Sequence, residues 1–199
     1  MPNKETFALK RLEGLSDGIY AIAMTILVLS LPLPEIGKAD SVDVPGHIRE
    51  YFHLFKAYGL SFLILANFWI IQMKIFRHLQ ASCLPHIWAN IGSLMGIALI
   101  PFTSSLLGYH SAALDANFFF HLNIFFVYIF FIIECNALLK HSYTFLKETT
   151  RSELQNLVRI NMILPMLSVI GVILSFFIPT WSTLIYIFAP FIVKRMRMK

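Results

Sequence analysis

The chain has 199 residues, 57% of them hydrophobic, 15% aromatic and only 14% charged, with a formal net charge of +5. A soluble domain carries about 25% charged residues, so this composition excludes a soluble enzyme, a disordered tail and a compact nucleic-acid-binding domain, and points to a lipid environment. The apolar content suffices for five or six spans of about 20 residues each.

Six apolar runs, bounded by charge or proline, follow one another: Leu15–Leu33, Tyr51–Phe76, Ile87–Leu107, Phe118–Leu139, Leu157–Ile178 and Thr183–Val193. They predict an all-α, polytopic membrane protein with six transmembrane helices in a single domain over residues 1–199. The last run is short for a hydrocarbon core of about 30 Å and relies on flanking cations to snorkel. The first ends in Pro32 and Pro34 instead of small residues and contains Asp17, so it is expected to persist as a span and not to be cleaved as a leader.

Basic residues cluster between the runs in a way that fixes orientation. Lys4, Lys10 and Arg11 precede the first; Lys74 and Arg77 follow the second; Lys140, Lys147, Arg151 and Arg159 surround the turn between the fourth and fifth; Lys194, Arg195, Arg197 and Lys199 end the chain. With six spans all of these fall on one side, and the positive-inside rule makes both termini cytoplasmic in a multi-pass cell-membrane protein. Lys38, Arg49 and Lys56 remain on the other side, balanced by Glu35, Asp40, Asp43, Glu50 and Asp115. The basic C-terminus resembles a site for acidic lipid or RNA, but a stop-transfer anchor accounts for it, and no nucleic-acid partner is expected.

Chemistry-bearing motifs are scarce. Cys83 falls in a turn and Cys135 in the fourth run, a placement that favours neither a disulfide nor a metal site. The histidines, His47, His53, His110 and His121 among them, show no metal-binding spacing, and the common hydrolase, P-loop and dinucleotide signatures are absent. No enzymatic activity, metal or cofactor is expected.

The first run carries the strongest signal. Asp17 lies one to two turns inside the bilayer edge, where a charge is penalised by about 3 kcal/mol unless it meets protein or water, so it needs donors. Trp69, Gln72, Asn90, Glu134, Asn136 and Asn161 lie at similar depth in the other runs and are predicted to form one polar layer; the indole N–H of Trp69 and the amide of Gln72 suit a carboxylate. At about 100° per residue, Ile22, Ile26 and Leu29 share one stripe with Thr25 beside them, whereas Asp17 projects elsewhere. The Asp17 side is expected to lock against the second and third spans. Periodicity alone leaves the stripe facing a symmetry axis, another helix or lipid. Gly92 and Gly96 predict close helix approach on the third span, and Pro101 a bend.

Arg11, Leu15-Ser16-Asp17-Gly18, Ala21-Ile22-Ala23 and Thr25 resemble the signature of the transmembrane protein 175 family of endosomal and lysosomal potassium channels and their prokaryotic relatives. Tyr58, Ser61, Phe62 and Trp69, and the segment from Ile100 to Gly108 that includes Pro101-Phe102-Thr103, are similar to that family's second and third spans. The resemblance covers roughly the first 110 residues.

It implies a homotetramer in membrane lipid whose first helices line a central pathway for potassium and other monovalent cations. Ile22 would form the narrowest ring, Ile26 and Leu29 further apolar rings, and Thr25 a neighbouring hydroxyl ring. Arg11, Ser16, Asp17, Trp69, Gln72 and Asn90 would hold the helix. Leu15 replaces a usual Phe and Gln72 a frequent His; both departures touch the locking network and leave the stripe intact. An aliphatic ring narrow enough to strip part of the hydration shell favours potassium, which is cheaper to dehydrate than sodium, and closes by dewetting. The alternative from another class is a small proton- or ion-coupled secondary transporter using Asp17 and Glu134, which requires repeated halves that these runs do not display. Glu134 reads as part of the polar layer or as a proton-binding modulator.

Overall fold

The computed structural model describes residues 4–33, 44–141, 155–156 and 163–188. Its main elements are α1 (Lys4–Leu29), α2 (Val44–Glu50), α3 (Phe52–Arg77), α4 (Leu84–Tyr109), α5 (Leu114–Lys140), α6 (Ile163–Ser175), α7 (Pro179–Ser182) and a 3-10 helix (Thr183–Phe188). The protein is all-α, as composition and periodicity predict.

Helix ends follow local chemistry. The α-helix closes at Leu29 with 3-10-type bonds from Ser30 and Leu31 to the carbonyls of Leu27 and Val28, because Pro32 disfavours helical geometry in the residue before it. In α4, extended Cys83 precedes the helix and Pro85 sits in its first turn, where a missing N–H costs nothing.

The predicted count of six spans is corrected to four. Among the described residues, only Leu9–Leu29, α3, α4 and α5 are long and apolar enough to cross a membrane. Among the described residues of the fifth run, the helix is the 13-residue α6, about 20 Å long at 1.5 Å per residue and short of a core of about 30 Å. The described part of the sixth run is the six-residue 3-10 helix, and the four residues of α7 stand between the fifth run and it. Apolar composition fixes that these runs are buried or lipid-facing; it does not fix that their backbone forms one long helix. Lys147, Arg151, Arg159 and the basic residues from 194 onward, on which part of the orientation argument rests, lie outside the described residues, as do Asn161 of the expected polar layer and Glu35, Lys38, Asp40 and Asp43.

The core forms where α1, α3, α4 and α5 meet, around Tyr20, Leu27, Leu65, Phe68, Ile97, Phe120, Ile124 and Leu138. The ring of Phe68 stacks on Phe131 with centroids 5.6 Å apart. Gly92 and Gly96 let α5 approach closely: a Cβ at Gly92 would stand 2.1 Å from the Phe130 ring, and one at Gly96 2.6 Å from Val127. This is the small-residue contact predicted for the third span. α6 lies against α5, with Gly171 over His121.

Candidate functional site

Two faces of α1 have opposite fates. Leu9, Leu12, Ser16, Tyr20, Ala23 and Leu27, spaced three or four apart, are buried against α3 and α4. Ile22 is 59% exposed, Ile26 44% and Leu29 80%, and Thr25 is exposed beside them. The Thr25 hydroxyl donates to the Ile22 carbonyl at 2.8 Å, which leaves the lone pairs of its oxygen free to meet a cation. α1 is the least covered of the four spans.

Anchoring occurs one to two turns earlier on the helix. The indole Nε1–H of Trp69 donates to Asp17 Oδ1 at 2.9 Å, the pairing expected from an intramembrane carboxylate. The Ser16 hydroxyl lies 2.9 Å from the Leu12 carbonyl and 3.2 Å from Asn90 Oδ1, so its single proton serves one of two acceptors at a time. Arg11 is exposed on α1.

Gln72 departs from the expected arrangement. It turns away from Asp17 and donates to Glu134 Oε1 at 2.9 Å. His86 Nε2 stands 3.0 Å from the same oxygen and Asn90 Nδ2 donates to it at 3.4 Å. His86 Nδ1 is in turn 2.7 Å from the Ser82 hydroxyl. Gln72, His86, Asn90 and Glu134 are buried. Two amide N–H groups and one imidazole nitrogen thus converge on a single carboxylate oxygen. Glu134 Oε2, Gln72 Oε1 and the Tyr20 hydroxyl are buried without a partner.

The polar layer is therefore real but divided. Asp17 and Trp69 form its exposed part; Ser16, Asn90, Glu134, Gln72 and His86 form its buried part. Asn136 is exposed on α5 and does not join it. His86 falls one residue before the third run and is not among the residues expected in the layer; a histidine so close to the depth of Glu134 is the signal that points to it. All these contacts lie at the end of the bundle that carries Lys10, Arg11, Lys74, Arg77 and Lys140.

A second buried cluster lies toward the opposite end of α5. His121 Nδ1 is 2.8 Å from the Tyr186 hydroxyl and Nε2 is 3.2 Å from Ser182 Oγ, which reaches Asn117 Oδ1 at 3.1 Å. Nearby, Lys56 Nζ donates to the Thr180 carbonyl and stands 4.8 Å from the centre of the Trp181 ring. This cluster ties α3 and α5 to the short C-terminal elements. Both cysteines are free, and the described residues contain no group of three or more His, Cys, Asp or Glu able to hold a metal ion.

Residues 11–101 match the family model for the endosomal/lysosomal potassium channel TMEM175. A potassium channel of Streptomyces collinus is 30% identical over 98 residues, covering 49% of this chain and 46% of that protein. One from a Chryseobacterium species is 31% identical over 98 residues, covering 49% and 48%. The chain thus spans about half the length of the curated relatives it matches. The crystal structure of a lysosomal potassium-selective channel TMEM175 homologue from Chamaesiphon minutus superposes with a TM-score of 0.76 at 25% identity, over 95% of this chain and 98% of that one.

Proposed function

We propose that this chain is a member of the TMEM175 family, which the sequence of residues 11–101 and the fold resemble, and is a potassium-selective channel that conducts as a homotetramer. In this reading four copies of α1 surround a central path, and each chain contributes one channel domain. Ile22 forms the constriction, Ile26 and Leu29 extend it, and Thr25 supplies hydroxyl oxygens next to it. The observation that carries the reading is the division of α1: one face is clamped by Ser16, Asp17 and Trp69, while Ile22, Thr25, Ile26 and Leu29 stay uncovered.

No carbonyl filter of the T-V-G-Y-G kind is present in the sequence, so discrimination rests on dehydration at an apolar ring. A ring of Ile22 side chains strips water that Thr25 oxygens replace only in part. Potassium loses its shell at lower cost than sodium, and a slight tightening empties the ring of water and stops the current. Asp17 serves this indirectly, by holding the helix whose opposite side forms the ring. A carrier needs an ionisable group facing its path in alternation; Glu134, the buried carboxylate, lies behind α1 and away from the uncovered stripe.

Ile22→Asn is the direct test, in proteoliposomes loaded with potassium. Wild type is expected to discharge the gradient rapidly and to prefer potassium over sodium. The variant should raise the rate and erode the preference, because an amide ring stays wet and coordinates both ions. Unchanged rate and selectivity would remove Ile22 from the path, and slow, saturable, proton-coupled exchange in wild type would favour the carrier.

A further inference from the structure

We propose that the cavity between α5 and α6 binds a small, uncharged ring compound that carries one hydrogen-bond acceptor and arrives through the bilayer. The cavity has a volume of about 190 Å³ and is walled by His121, Leu122 and Phe125 of α5 and by Ser168, Val169 and Val172 of α6. It is separate from the path assigned to α1, since that helix packs on α3 and α4, whereas α6 packs on α5.

Local sequence makes the space. Gly171 lets the α6 backbone close on the His121 ring, where a Cβ would stand 2.4 Å from Cε1. Ser168 and Val172 share the face of α6 that carries this contact, and Phe125 lies about one turn beyond His121 on α5. The short side chains of Ser168, Val169 and Val172 leave unfilled the gap beside the glycine. Leu122 is 44% exposed and Val169 49%, so the cavity opens on the outside of the bundle, toward lipid.

Volume, access and one hydroxyl together define the occupant. An apolar cavity of about 150 Å³ takes benzene, so a cavity of about 190 Å³ takes a six-membered ring with one small substituent. Entry through hydrocarbon excludes a charged group, which would have to leave its hydration shell behind. The hydroxyl is that of Ser168, which is buried and has no hydrogen-bond partner. A serine in a helix ordinarily donates to a carbonyl one turn back, as Ser175 does to Val172. Ser168 does not, and a buried hydroxyl left so is costly. Rotation about its Cα–Cβ bond turns the O–H toward an occupant of the cavity.

The imidazole cannot take that part. His121 Nδ1 faces the Tyr186 hydroxyl and Nε2 faces Ser182, so both ring nitrogens are engaged. An acceptor oxygen on the ligand, carbonyl or ether, therefore meets Ser168. Water is a poor substitute, because a buried water needs about two to four polar partners and Ser168 offers one.

The probe that tests the site is para-fluoroacetophenone, a ring with a carbonyl acceptor and no donor. Its control, para-fluoroethylbenzene, has nearly the same size and no acceptor. Fluorine NMR compares nanodiscs that hold the purified protein with nanodiscs of the same lipid alone. Wild type should broaden the ketone signal saturably and bind the hydrocarbon about fivefold more weakly, the order of one net hydrogen bond. Ser168→Ala should erase that preference, and Val172→Phe, which fills the cavity, should abolish saturable binding of both probes. Thermal unfolding in detergent gives an independent readout. Without probe, Ser168→Ala should raise the midpoint, because it removes the unpaired hydroxyl; with ketone, it should lose most of the rise that binding gives wild type.

No saturable effect of either probe on wild type would overturn the site. Equal binding of the two probes would overturn the ligand class and leave a crevice for acyl chains. A lowered midpoint for Ser168→Ala would also overturn it, since the hydroxyl would then be partnered within the protein. Should Val172→Phe not fold, the two probes on wild type and Ser168→Ala still decide. None of these readouts uses ion flux, so the site stands or falls apart from the channel reading.

Discussion

Two histidine-centred clusters sit near the two ends of α5, and they are built on opposite principles. His86 faces a buried carboxylate that also accepts from two amides, Gln72 and Asn90, and keeps one oxygen unpartnered. His121 faces only hydroxyls, those of Tyr186 and Ser182, and every bond in its chain joins formally neutral groups. Thirteen residues of helix, about 20 Å, separate Glu134 from His121. The first cluster touches α1 through Asn90 and Ser16; the second fastens the short C-terminal elements to the bundle. Burying a charge therefore coincides with contact to the helix proposed to carry function, and neutral polar packing with the part that closes the fold.

The largest effect that would sharpen this contrast is expected from Glu134→Ala. It strands the donors of Gln72, His86 and Asn90 without an acceptor, and breaking a buried charged cluster costs about 3–5 kcal/mol. Denaturant unfolding in detergent micelles reads it, and a loss below about 1 kcal/mol would mean that the donors find other partners and that the cluster is not held by charge.

His121→Phe keeps the ring volume and orphans the Tyr186 hydroxyl, while Ser182 retains Asn117 and the Pro179 carbonyl. The expected cost is about 1–3 kcal/mol, that of one unsatisfied buried polar group. A cost equal to that of Glu134→Ala in the same assay would break the contrast, since charge would then have no special weight.

Trp69→Phe should have the smallest effect on stability, about 0.5 kcal/mol, because the indole and Asp17 are both partly open to solvent in a single copy. Its informative readout is the potassium-to-sodium preference in liposomes. A changed preference at nearly unchanged stability would place the Asp17–Trp69 bond in the alignment of α1; the same preference as wild type would restrict it to packing.

Particular residues explain how much was legible beforehand. Asp17 announced a donor because an unpaired carboxylate in a span is costly, and Trp69 supplies it. Gly92 and Gly96 announced a close approach because only small residues permit one, and α5 is the neighbour. Gln72 was placed at the correct depth but assigned to the wrong carboxylate: it lies three residues from Trp69 on α3, about one turn away, and the two side chains diverge around the helix toward α1 and α5. His86 escaped notice because it sits at the boundary of an apolar run, where a turn residue and a buried one look alike. The fifth and sixth runs read as spans in the sequence because hydropathy reports what a segment avoids, not the length of its helix.

Sequence alone determined that the chain lives in lipid, that it is helical, that the start of α1 carries an anchored carboxylate, and that Ile22, Ile26 and Leu29 share a stripe with Thr25. These are properties of composition and of a fixed helical period, which need no knowledge of neighbours. Tertiary structure decided that four of the described helices are long enough to cross, that Ser16 and Asn90 join α1 to Glu134, and that His86 completes a buried pair with it. Those outcomes depend on which helix faces come together across residues as far apart as 16 and 134, and no local pattern encodes a rotation about a helix axis.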